Sequence, residues 1–96
     1  MTDLEISKAL ALAIGWKPEQ MRVSSDGFLL IQKDDAFFAR PFNYMDWAVA
    51  GPIAEKFDCF PKKINGMWEV PHSGEIYRAD TPQRAIALAV IQGVRK

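Results

Sequence analysis

The chain has one cysteine, Cys59, and one histidine, His72. A single thiol excludes an intramolecular disulfide and fits a reducing compartment. With no His or Cys partners at close spacing around either residue, no metal motif is present, and no cofactor is expected. An excess of one charge sign is also missing. Twelve basic and twelve acidic side chains cancel, which removes the broad basic footprint that holds a protein on DNA or anionic lipid. Apolar runs are short, and none reaches the roughly 18 residues that a membrane span needs. The opening "MTDLEISKAL" is acidic and lacks the basic-then-apolar order of a secretory leader. The expectation is a cytoplasmic protein with no membrane partner.

What is present suits one small globular domain over residues 1–96: 49% of residues are apolar and 25% charged. No repeat, low-complexity stretch or linker interrupts it. "DLEISKALALAIG" predicts a helix. Thr2 and Glu5 have capping-box spacing, and Leu4, Ile6, Leu10, Ala13 and Ile14 form an apolar stripe that Leu12 widens. Gly15 suits a left-handed stop, after which Trp16 can fold back and Pro18 prevents continuation. "MRVS" and "FLLIQK" around Asp26-Gly27 predict a hairpin. "DDA" then turns the chain into "FFARPF", where Pro41 ends the strand or puts it at an edge.

A second helix is predicted over "YMDWAVAGPIAEKF". Asn43 is its cap, Asp46 lies in its first turn, and Trp47, Ala50, Ala54 and Phe57 share a face. Pro52 inside it implies a kink or break. "MWEV" and "EIYRA" predict another hairpin, with a loose turn through "PHSG". Its Trp68 and Val70 share a face, as do Tyr77 and Ala79. The last helix, from about Pro82 to Val94, is apolar nearly all round and should be well buried.

The element order and several short motifs resemble the phage ABA-sandwich domains and the related NinX-type phage proteins. The motifs are an N-terminal helix ending in Gly-Trp, an aromatic-acidic helix start before "GPIAE", a Trp-bearing hairpin, and a final helix opened by "TPQRA". The resemblance covers about Leu4 to Val94. It implies an α+β fold, a small antiparallel sheet with helices on both faces (an α/β/α sandwich). It also implies a phage or prophage protein working in the host cytoplasm. It carries no activity and no catalytic residues. The stretch "VSSDGFLLIQKDDAFFARPF" is less typical of the family and reads as an extra hairpin.

Few residues offer chemistry. Thr81-Pro82-Gln83-Arg84 opens a helix whose free backbone donors attract anions. However, Thr is an ordinary cap, Pro an ordinary first residue, and Asp80 occupies the place of the anion. Arg84 could pair instead with Asp80 or Asp46. Asp34-Asp35 reads as a solvated turn rather than a carboxylate pair. Cys59 follows an apolar helix face and reads as a small core or semi-buried thiol. A Cys59–His72 nucleophilic pair would also need an orienting group and oxyanion donors.

Aromatics are the remaining feature. "FFARPFNYMDW" is dense with them, and a strand cannot hide adjacent Phe37 and Phe38 on one face. One must enter a second layer or stay exposed, and exposed aromatics beside an arginine typify a protein-binding patch. Phe37, Phe38, Arg40, Phe42 and Tyr44 are therefore the candidate binding residues. The expected function is non-catalytic interaction with a host or phage protein, modulating a host function. The alternative is a nucleic-acid-binding module, which would need Arg22, Arg40, Lys62, Lys63, Arg78 and Arg84 on one side. An enzyme would need a deep cleft holding Cys59 and His72 together. An uncovered sheet edge would permit self-assembly.

Overall fold

A computed structural model describes residues 2–95, with the side chains of 94 and 95 excepted. Helix α1 runs from Asp3 to Ala13. The Thr2 backbone N–H and hydroxyl donate to the Glu5 carboxylate at 3.2 and 3.0 Å, and Glu5 N–H returns a bond to Thr2 Oγ1 at 3.2 Å. Those donors, the backbone one foremost, hold the Glu5 pKa below its ordinary value. At the other end Trp16 N–H donates to the Ala11 carbonyl and Gly15 N–H to that of Leu12. This is the paired bonding that lets a helix stop and its next apolar residue fold back. Trp16 accordingly packs against the core.

Three antiparallel strands follow: β1 (Met21–Val23), β2 (Leu29–Ile31) and β3 (Arg40–Pro41), in the order β1-β2-β3. The Asp26-Gly27 hairpin forms as expected. Strand β3 is shorter than "FFARPF" predicts, because Phe37 and Phe38 lie in a bend before it. Pro41 lies on an edge strand, where its missing N–H costs no ladder bond.

Helix α2 spans Trp47–Phe57, three residues later than the expected start. Asn43 caps a turn instead, its side chain accepting from Met45 N–H at 3.0 Å. Asp46 becomes the helix cap, accepting from Ala48 N–H at 2.9 Å. The helix continues through Pro52, which is exposed, so water can satisfy the carbonyl that Pro52 cannot serve. Trp47 is exposed, and Ile53 joins Ala50 and Ala54 on the buried side.

The second sheet has β4 (Lys62–Ile64), β5 (Met67–His72) and β6 (Glu75–Ala79), in the order β4-β5-β6. Its two turns, Asn65-Gly66 and Ser73-Gly74, are tight. All four residues have positive φ, from 52° to 81°. This is the backbone that joins two strands with the correct twist, and glycine adopts it at no steric cost. Strand β4 and its Asn-Gly turn had not been predicted.

Helix α3 runs from Pro82 to Arg95. Thr81 caps it, accepting from Arg84 N–H at 3.2 Å. Ala85, Ile86, Ala87, Ala89, Val90 and Ile91 are all buried. α3 packs against β5, β6, α1 and α2, while α1 also touches β2. The chain is therefore α+β, with antiparallel strands divided between two small sheets rather than gathered in one. The long segment from Phe42 to Pro61, which contains α2, separates the two sets of strands along the chain. No helix among the described residues is long and apolar enough to cross a membrane.

Tyr44 ties this core together. Its backbone N–H donates to Ser7 Oγ at 3.1 Å and its hydroxyl to Asp3 Oδ1 at 2.7 Å. Burial first, and then the Asp3 bond, push its pKa from 10.0 up to about 12. Because the folded pKa is the higher one, the protonated ring stabilises the fold fully below pH 10.0, and that contribution is lost as pH rises through about 12. A spectrophotometric titration of tyrosinate should show a late step near 12 that disappears in Tyr44→Phe. Loss of stability between pH 10.0 and 12 should also be shallower in that variant.

Candidate functional site

The five candidate residues divide into two groups. Phe42 and Tyr44 are only 5% and 1% exposed, and they belong to the core. They are withdrawn from the binding surface, because around Asn43 they alternate onto one face and that face is covered by α1. Phe37 and Phe38 are 92% and 82% exposed, and Arg40 is exposed beside them. The bend thus places both phenylalanines outside and hides neither in a second layer.

The bend is clamped on both sides. Ala36 N–H donates to the Lys33 carbonyl at 3.0 Å, and Gln32 Nε2 donates to the Ala36 carbonyl at 2.8 Å. Gln20 holds the same turn from the neighbouring segment. Its amide donates to Asp34 Oδ1 at 3.3 Å, and its backbone carbonyl accepts from Gln32 N–H at 2.9 Å. After the bend, Arg40 and Pro41 pair with Ile31 and Leu30. Only Phe37, Phe38 and Ala39 lie between the anchors, so docking against them would immobilise little chain. Burying two phenylalanines offers about 1.5–3 kcal/mol each, a large share of the roughly 8 kcal/mol behind a micromolar complex.

Gln20, Gln32, Lys33 and Trp16 shape this surface and were not among the sequence candidates. Trp16 could have been found, since a tryptophan directly after a helix-ending glycine must pack somewhere nearby. The glutamine bonds reach across segments and leave no local pattern.

Other candidates fall out differently. Thr81 acts as a cap, and no ion pair joins Arg84 to Asp80 or Asp46 among the described residues. Asp34 and Asp35 lie in an exposed turn. The six cations considered for nucleic acid are spread over β1, β3, β4, β6 and α3. Arg78 Nε is 2.6 Å from Glu69 Oε2, and Lys63 Nζ lies 5.9 Å from the centre of the Trp68 ring.

Cys59 and His72 do meet. A left-handed Asp58 ends α2 and turns Cys59 inward, where its Sγ lies 3.3 Å from His72 Nδ1 and 3.4 Å from the Phe57 carbonyl. Both contacts are met together when the thiol donates to Phe57 and His72 carries its proton on Nδ1. The His72 ring lies close against Gly93 of α3, where a Cβ would come within 2.7 Å of two ring atoms and push the ring aside. Cys59 is completely buried, and burial, with Asp58 adding to it, pushes its thiol pKa up. That is the opposite of the shift that activates a nucleophile. The pair is a packed contact between the chain just after α2, β5 and α3, and the thiol has no exposed surface. No three His, Cys, Asp or Glu side chains among the described residues are arranged to hold a metal ion.

No family model matches this chain, and no curated protein and no solved structure matches it significantly. The likeness to the phage families therefore stands on the quoted motifs alone.

The aromatics should separate cleanly in stability. Phe37→Ser and Phe38→Ser should each change unfolding free energy by less than about 0.5 kcal/mol, while Phe42→Ala should cost about 3–5 kcal/mol; chemical denaturation would measure both. The Cys59 thiol should react with an aromatic disulfide reagent only slowly in the native protein, and rapidly once denaturant unfolds it. Fast native labelling would contradict the packed contact.

Proposed function

We propose that this chain is a small non-catalytic interaction protein that engages another protein through Phe37, Phe38 and Arg40. The observation that carries this reading is the pair of adjacent phenylalanines, 92% and 82% exposed, on a bend anchored at both ends. Isolated exposed apolar residues are ordinary. Two neighbouring aromatics beside an arginine, held in place without burial, have the make-up of an interface hot spot. The motif resemblance extends the proposal to a phage or prophage accessory protein that modulates a host function from within the host cytoplasm. The packed Cys59–His72 contact supports a non-catalytic reading, because the thiol is neither accessible nor activated.

The test is capture from bacterial lysate by the immobilised protein, beside a Phe37→Ser/Phe38→Ser variant verified as folded. A specific protein retained by the parent and lost by the variant is the expected outcome. Nucleic acid captured in its place, and released by salt, would replace this reading with a nucleic-acid-binding one.

A further inference from the structure

Two hollows adjoin the Phe37–Phe38 bend. One, of about 440 Å³, is lined by Ile14, Ile53 and Phe57, with Lys33 and Lys56. The other, of about 290 Å³, is lined by Ile31, Ala36 and Phe38, with Lys33 and Arg40. Trp16 and Lys33 line both, so the two hollows border one another as one double groove. Each hollow is close to the size range in which proteins hold small ligands or inserted side chains.

The charge around the groove is one-sided. Lys33, Lys56 and Arg40 line it, and no Asp or Glu does. In a chain whose charges cancel overall, this is a local asymmetry. The nearby Asp34 is occupied by the Gln20 amide at 3.3 Å. All three cations are exposed and can meet an incoming charge.

We propose that this double groove receives an acidic peptide segment of a partner protein. One apolar side chain enters each hollow, and flanking carboxylates face Lys33, Lys56 and Arg40. This deepens the interaction reading above and rests on it. Complementary charge sets orientation and rate of approach, while the apolar side chains supply the tighter hold. A single-stranded nucleic acid fits less well. Bases stack on several open aromatic faces in succession, whereas of the three aromatics lining the groove only Phe38 is open, Trp16 and Phe57 being half-buried.

The experiment uses fluorescence anisotropy with a labelled peptide alternating glutamate with leucine and phenylalanine. Controls are the same peptide with lysine for glutamate, polyglutamate of equal length, and oligo-dT. The acidic-apolar peptide should bind best and weaken as salt rises. A Lys33→Glu/Lys56→Glu variant, which leaves Arg40 of the aromatic patch in place, with its thermal melt compared to the parent, should lose at least about tenfold in affinity. Equal binding of polyglutamate or the lysine peptide, preference for oligo-dT, no binding at all, or indifference to charge reversal would each overturn the proposal. Lysate capture with the charge-reversed chain separates the two levels. A Phe37- and Phe38-dependent partner that survives charge reversal sinks the groove and leaves the interaction reading standing. Absence of any such partner from the parent sinks both.

Discussion

Burial of α3 on most of its circumference is the constraint on which the other elements depend. Ala85, Ala87 and Ala89 are small enough to let neighbours approach closely, while Ile86, Val90 and Ile91 fill the spaces between them. Burying each of those three larger side chains contributes about 1.5–3 kcal/mol. The second sheet, α1 and α2 all pack on this helix. Gln83 adds a polar tie, its amide donating to the Met45 carbonyl at 3.1 Å. That bond links the start of α3 to the turn that precedes α2.

The same economy explains where the candidate surface lies. The segment from Phe42 to Tyr44 is drawn inward by Ser7 and Asp3. Immediately before it, the chain is held by β2 and by two glutamines. Phe37 and Phe38 are caught between these anchors and cannot follow Phe42 into the core. Their exposure is a result of how the backbone is tied, rather than of weak packing nearby.

Much of the helical structure was legible along the chain. The Thr2–Glu5 box, the Gly15-Trp16 exit and the apolar surround of α3 are local signals, and each behaves as its chemistry requires. The start of α2 was harder, because Asn43 and Asp46 are both good caps and only packing chooses between them. The Asn65-Gly66 turn is a strong local hairpin signal, but β4 before it is only three residues long and wholly exposed, so it carries no apolar alternation of its own. The division into two sheets and the approach of Cys59 to His72 depend on contacts between distant segments, which no local pattern encodes. At the candidate surface, the adjacency of Phe37 and Phe38 exposed the problem. The alternation through Phe42 and Tyr44 held the clue to which aromatics are core.

The packing of α1 on α3 also has a consequence for how the protein is made. These helices lie at opposite ends of the described chain, yet they share the core. At typical ribosomal speeds, roughly 3–14 s pass between the synthesis of Ala13 and that of Pro82. The tight hairpins of the second sheet can form in about 1–10 μs once they emerge. α1 can meet β2 and Tyr44 earlier, but the side of it that packs on α3 has no partner until α3 has been made, so on the ribosome that side stays open to chaperones.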